Sequence, residues 1–230
     1  METKRHMYIR GYKHISYEAP VFSGEEMQSR SRKYYKWLDK RRSVREFSEK
    51  PVPREVVENL IKAASTAPSG AHKQPWTFCA VSSPSLKKKI RAAAEQKEKE
   101  NYAHRMSESW KKDLEPLATG TDKPFLETAP WLIVVFKKVL DYGPDGEKRN
   151  NYYVNESVGI ACGMLITAIH NAGLVTLTHT PSPMNFLAGI LDRPDNERPF
   201  LLLPVGYSAQ EVFVPDLQRK ELSEMAVFYE

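Results

Sequence analysis

A chain of 230 residues with 41% hydrophobic and 27% charged content can bury a real core, as one large domain or two small ones. Its net charge of +5 is spread along the sequence, too thin for a polyanion-binding face, so nucleic acid is not an expected partner. The two cysteines, Cys79 and Cys162, lie inside apolar runs with no CxxC or zinc spacing. They suit buried thiols in a reducing compartment, and no metal site is expected. No apolar h-region follows the N-terminus, and no window approaches the ~20 apolar residues of a membrane span. A cytoplasmic protein without membrane contact is expected.

Residues 1–22 are polar and aromatic with no clean period, and are expected to form an extended N-terminal arm that packs on a second subunit. Residues 23–230 make the main domain. Ser23 caps a helix running to about Lys40, with Glu25 and Glu26 in its first turn and Tyr34, Trp37 and Leu38 on one face. Arg41-Arg42-Ser43-Val44-Arg45 comes next: three planar forks of donors around one hydroxyl. By themselves these residues suit either a phosphate clamp or a solvated helix end whose cations face the negative pole of the macrodipole. Pro53 belongs to the first turn of another helix, striped by Val56, Val57, Leu60, Ile61 and Ala64.

The loop Thr66-Ala67-Pro68-Ser69-Gly70-Ala71-His72 is built of small residues. It is either a plain helix-to-strand link or a platform where backbone approaches a flat ligand, with Gly70 at positive φ. Trp76–Val81 is a strand. Ser83 and Pro84 then cap and open a charged helix to about Tyr102. Residues 98–125 have the character of a lid. A continuous apolar run, Trp131–Phe136, is a central strand, and the loop at Gly143-Pro144-Asp145-Gly146 leads to an apolar helix from about Tyr152 to Ala172. His170 is a core or cap histidine, and Gly173 makes the C-cap. A short strand, Leu174–Thr178, runs into His179-Thr180-Pro181; a helix near 184–191 and a strand near 200–205 follow. Arg219 in the tail is a second anion ligand. Without a βαβ rhythm or GxGxxG, the class is α+β.

Serine-hydrolase, P-loop and zincin signatures are absent. An arginine cluster, a small-residue loop, a threonine-rich strand end and a charged lid are the parts of a flavin site. Arg41–Arg45, Thr66–His72, Pro75-Trp76-Thr77-Phe78, Asn101-Tyr102 and Val214-Pro215-Asp216-Leu217, in that order, resemble the FMN-dependent nitroreductase superfamily. More narrowly they are similar to the iodotyrosine deiodinase family, over about Tyr34 to Lys220.

The resemblance implies a nitroreductase-like mixed sheet flanked by helices in an intertwined homodimer, with each FMN between subunits. FMN phosphate and ribityl contacts fall to Arg41, Arg42, Ser43, Arg45 and Arg219, and Ser69 touches the cofactor. Thr178, His179 and Thr180 lie at the isoalloxazine, with the Thr180 hydroxyl near N5 as the catalytic donor. His179 stands where the animal enzymes carry threonine, and only its backbone is expected to matter. Glu98, Tyr102 and Lys123 hold the amino acid zwitterion, while the Ala71 N–H faces the phenolate. Spacing agrees: Glu98 and Tyr102, at i and i+4, share a helix face. The implied reaction is reductive dehalogenation of halotyrosines by single-electron steps, with electrons from NADPH directly or through a reductase. Two alternatives stand beside it: an NAD(P)H-dependent nitroreductase or quinone reductase of the same superfamily, and a non-catalytic flavin-dependent ligand sensor.

Overall fold

The computed structural model describes residues 5–230, in two compact units that divide between Arg41 and Arg42. Residues 1–4 of the expected arm lie outside the described residues. The rest of the arm is not periodless: β1 (His6–Ile9) and β2 (Tyr12–Ile15) form a hairpin. Arg10 (φ 52°) and Gly11 (φ 84°) supply the two left-handed residues of its tight turn. Helix α1 (Gly24–Asp39) follows, and the Ser23 hydroxyl accepts the Glu26 N–H at 3.2 Å as a cap. The Tyr34 and Trp37 rings meet at 5.6 Å on its surface, and no residue of α1 is buried.

The second unit runs α2 (Arg54–Ser65), β3 (Trp76–Val81), α3 (Pro84–Glu100), α4 (Glu108–Leu114), α5 (Phe125–Thr128), β4 (Trp131–Lys138), β5 (Leu140–Tyr142), β6 (Lys148–Asn150), α6 (Val154–Asn171), β7 (Val175–Thr176), α7 (Phe186–Ile190) and β8 (Glu197–Gly206). The central sheet has the order β3-β4-β8-β7, with every ladder antiparallel. Its mixed character comes from one parallel bridge, Ser43 to Thr176. Pro53 is the cap of α2 rather than its first residue. The loop around Gly143–Gly146 is the turn of a second hairpin, β5–β6, with Gly146 at φ 76°.

Strand β4 shows why the run Leu132–Phe136 is continuously apolar: helices cover both faces of the sheet. Ile133 and Val135 join the cluster with α2 and α6, through Val57, Leu60, Ala161, Leu165 and Ile169. Leu132, Val134 and Phe136 join the other cluster with α3, α5 and α7, through Ile90, Leu126 and Leu187. All five β4 residues are fully buried. Helix α6 buries Val158, Ala161, Cys162, Leu165 and Ile169 but leaves Ile160 46% exposed.

Glu197 pins three parts of this sheet. Its carboxylate is 2% exposed and accepts from Thr77 Oγ1 at 2.6 Å and Arg193 Nε at 2.7 Å, with Lys138 Nζ at 3.9 Å. Burial pushes its pKa up, but the Arg193 and Thr77 hydrogen bonds outweigh this and hold it below the usual carboxylate range. A depressed folded pKa stabilises above the unfolded value, and that contribution is lost as pH falls through the folded value. We expect Glu197→Ala to lower unfolding free energy by about 2–3 kcal/mol at neutral pH. In urea titrations the deficit should shrink at pH 3; an equal deficit at both pH values would contradict the assignment.

Candidate active site

Arg41 closes α1, its N–H donating to the Leu38 carbonyl at 2.9 Å. From Arg42 onward the chain is extended rather than a helix end. Val44 N–H donates to Thr176 O at 3.1 Å, Ser48 N–H to Tyr207 O at 2.9 Å, and Ala209 N–H to Glu46 O at 3.0 Å. This stitching turns Val44 and Phe47 into the core, leaving Ser43 exposed and Arg42 and Arg45 half-buried. The Arg42 guanidinium donates to the Pro215 carbonyl, which holds the segment leading to Arg219 against the arginine run.

The Thr178–Thr180 segment is fixed by its middle residue. His179 exchanges two backbone hydrogen bonds with Leu202, at 2.8 and 3.1 Å. Its side chain is also committed: only 6% exposed, it meets the Phe125 ring edge-on at 5.6 Å. Burial, and then the charges of Lys123 and Arg45, pull its pKa down to about 3, so the imidazole is neutral throughout the physiological range. Nε2 has no hydrogen-bond partner among the described residues. Alternation leaves Thr178 and Thr180 exposed on either side.

The structure brings the three lid residues together. Lys123 is 4% exposed; Nζ donates to Thr119 Oγ1 at 3.2 Å and to the Gly120 carbonyl, and stands 4.0 Å from Glu98 Oε1. Tyr102 OH donates to Thr119 O at 3.0 Å. Tyr102 is not on α3, as its spacing suggests, but in a π turn, Asn101–Arg105, beyond the helix end. Glu98 is nonetheless close enough that its charge, after burial, pushes the Tyr102 pKa up. Burial raises the pKa of Glu98 and lowers that of Lys123, and in both cases it outweighs the attraction between them. Each charge is therefore under-compensated by the other. Sequence reasoning missed Glu95, whose Oε1 accepts the Lys123 backbone N–H at 2.8 Å and Arg91 Nε at 2.7 Å. The i,i+4 spacing to Arg91 was readable, but the contact with residue 123 was not.

The Ser69–His72 loop departs from expectation in one respect. Gly70 does not take positive φ; Ala71 (48°), His72 (55°) and Gln74 (48°) do. Gly70 is needed for space, since a Cβ there would lie 2.8 Å from the Tyr152 carbonyl oxygen and 3.0 Å from the Tyr153 ring. Ser69 Oγ accepts the Gln74 N–H at 2.9 Å, and Gly70 N–H donates to Ser157 Oγ at 3.3 Å. The loop thus rests on the start of α6 and feeds β3, one edge of the sheet. Thr176 lies three strand spacings or roughly 14 Å away, and Ser43, bridged to it from outside, marks the other edge.

The profile of the Nitroreductase family matches residues 38–207, which span the sheet, the arginine run and the lid. Among known proteins, the chain is 62% identical over 215 residues to the iodotyrosine deiodinase of Haliscomenobacter hydrossis, covering 94% of this chain and 97% of that one. With the iodotyrosine deiodinase of Nematostella vectensis it shares 49% identity over 221 residues, 93% and 82% of the two chains. A crystal structure of an oxidised iodotyrosine deiodinase bound to FMN and 3-iodo-L-tyrosine matches with a TM-score of 0.74 at 31% identity, covering 86% of this chain and 98% of that one. The chain belongs to the iodotyrosine deiodinases of the nitroreductase family.

Two neighbouring substitutions in the small-residue loop should have opposite signs. Gly70→Ala forces backbone apart and is expected to cost about 1–3 kcal/mol. Ala71→Gly relieves a left-handed alanine and should stabilise by about 0.5–1 kcal/mol. Thermal unfolding of the two variants checks both, and a shift of the same sign in each would refute the geometry.

Proposed function

We propose that this protein is an FMN-dependent dehalogenase that converts 3-iodotyrosine and 3,5-diiodotyrosine to tyrosine and halide. The observation that carries the reading is the buried pair Glu98 and Lys123, whose charged atoms stand 4.0 Å apart. A zwitterionic amino acid supplies what each lacks: its carboxylate meets the Lys123 ammonium and its ammonium meets the Glu98 carboxylate, with Tyr102 beside them. A neutral nitroarene offers neither charge, which weighs against a general nitroreductase.

The residues present fit FMN. Arg42, Ser43, Arg45 and Arg219 are suited to its phosphate and ribityl chain. The orphaned Nε2 of His179 is a buried polar atom in want of a partner. Bound and reduced, FMN supplies the two electrons in single steps. Thr180 would serve as a hydroxyl donor to the flavin ring, and Ser69 would help hold it. The Ala71 N–H hydrogen-bonds the substrate oxygen and favours its phenolate form. The lid, residues 98–125, excludes water once the zwitterion is held.

The protein works as a homodimer in this reading. Ala71 sits at the sheet edge opposite Ser43 and Thr176, so a second copy delivers it to the site. Exposed apolar residues support such a contact, among them Ile160 on α6 and Phe213, Val227 and Phe228 in the C-terminal segment. NADPH, directly or through a reductase, renews the reduced flavin. No helix among the described residues is long and apolar enough to cross a membrane, and both thiols are unpaired. We assign the protein to the cytoplasm.

The oxidised flavoprotein should bind 3-iodo-L-tyrosine at least about 100-fold more tightly than 2-iodophenol, since two charge-assisted contacts are at stake. Equal affinities would sink the zwitterion clamp. Because burial raises the Glu98 pKa, affinity should fall on the acid side already above the ordinary carboxylate range. Glu98→Gln should abolish that limb; persistence of the limb would reassign it. A ligand sensor is separated by anaerobic mixing of the photoreduced protein with 3-iodo-L-tyrosine. We expect stoichiometric iodide and reoxidised flavin, whereas a sensor leaves the flavin reduced.

A further inference from the structure

Thr180 stands between two anchors of different kinds. On one side the His179–Leu202 backbone pair ties it to the central strand β8. On the other, two residues past Thr180, the Ser182 carbonyl accepts a hydrogen bond from Asn101 Nδ2 at 2.7 Å. Asn101 lies 81 residues earlier in the chain, is 8% exposed, and is the first residue of the π turn beyond α3. Its own carbonyl accepts the Met106 N–H at 2.9 Å and closes that turn. The next residue is Tyr102, which bonds Thr119, while Glu98 lies on the preceding helical turn and stands by Lys123. One buried amide therefore joins the base of the lid to the segment that presents Thr180.

We infer that Asn101 is a positioning residue, setting where the Thr180 hydroxyl stands according to the placement of Glu98 and Tyr102. The inference rests on the reading of Thr180 as the flavin-facing donor. A sheet anchor alone leaves Thr180 at the end of a tether. The amide bond makes that tether move with the lid base, so a ligand that orders Tyr102 and Glu98 also orders Thr180. A π turn suits the role, because its widened backbone ring is a strained insertion that persists where surrounding contacts hold it.

The test uses the FMN-loaded protein and 3-fluoro-L-tyrosine, whose carbon–fluorine bond is too strong to be cleaved, so the site is occupied without turnover. The readout is the gap between the two one-electron potentials of the flavin, with and without this ligand. In the native protein the ligand should change the gap. In Asn101→Ala the change should be lost, and the Kd for 3-iodo-L-tyrosine should rise roughly tenfold, because the ligand must then order the lid base without its tie to Ser182. Should Asn101→Ala fold poorly, Asn101→Asp, which keeps the volume and removes the donor, should behave alike, and Asn101→Gln should retain part of the response. A ligand-induced change of native size in Asn101→Ala or Asn101→Asp overturns the inference alone. A native protein that retains no FMN, or whose flavin ignores the ligand, overturns the proposed function and this inference with it.

Discussion

With Val44 donating to Thr176 and Ser48 to Tyr207, the six residues from Ser43 to Ser48 are held extended between the β7 edge and the segment just after β8. The bridges bury Val44 and Phe47 and leave Ser43, Arg42 and Arg45 along the rim. The same run would be a diffuse cationic cap on a continuing helix, each guanidinium in water and worth little to any ligand. Edge pairing fixes the backbone that carries Arg42 and Arg45, so less conformational freedom is left for a ligand to remove. Arg42 extends the arrangement by gripping the Pro215 carbonyl, which brings a distant segment of chain to the rim.

The lid obeys a different constraint. Glu98 and Lys123 are both nearly inaccessible, yet their charged atoms are 4.0 Å apart and burial dominates the pKa of each. Two ions desolvated without close pairing destabilise the fold, and such arrangements persist where a ligand completes them. Glu95 keeps that arrangement from relaxing: by accepting the Lys123 backbone N–H it stops the chain from drawing the ammonium out to solvent. Thus Glu95 on α3 holds the far end of this segment at Lys123, while Asn101, just beyond the helix, ties its near end to Ser182.

Much of this was legible where a local rule has no competitor. Strand β3 falls on Trp76–Val81, Ser83 and Pro84 open α3, and Gly173 (φ 72°) follows α6, because periodicity, cap chemistry and αL preference act within a few residues. Elements whose stability comes from elsewhere were harder. The Arg10-Gly11 turn lies between short strands with exposed aromatics, so no apolar alternation marks them. Gly70 was correctly singled out, for the wrong reason: its neighbour Ala71 bears the left-handed backbone, while Gly70 gives way to a carbonyl 82 residues further on, at Tyr152. No sequence pattern encodes that approach. The π turn is likewise invisible, and so is the reach of Asn101 to Ser182, 81 residues on.

The arginine run and the lid look like independent sites in the sequence, one for a cofactor and one for a substrate. Arg45 removes that independence. It is half-buried, its own pKa is lowered by burial, and its charge acts on both Lys123 and His179. Burial, helped by Lys123 and Arg45, keeps the His179 imidazole neutral, so the buried ring beside Thr180 adds no third positive charge. Arg45 and Lys123 thus bring positive charge to one partly desolvated region, and the cost of holding the ammonium there rises with the guanidinium nearby.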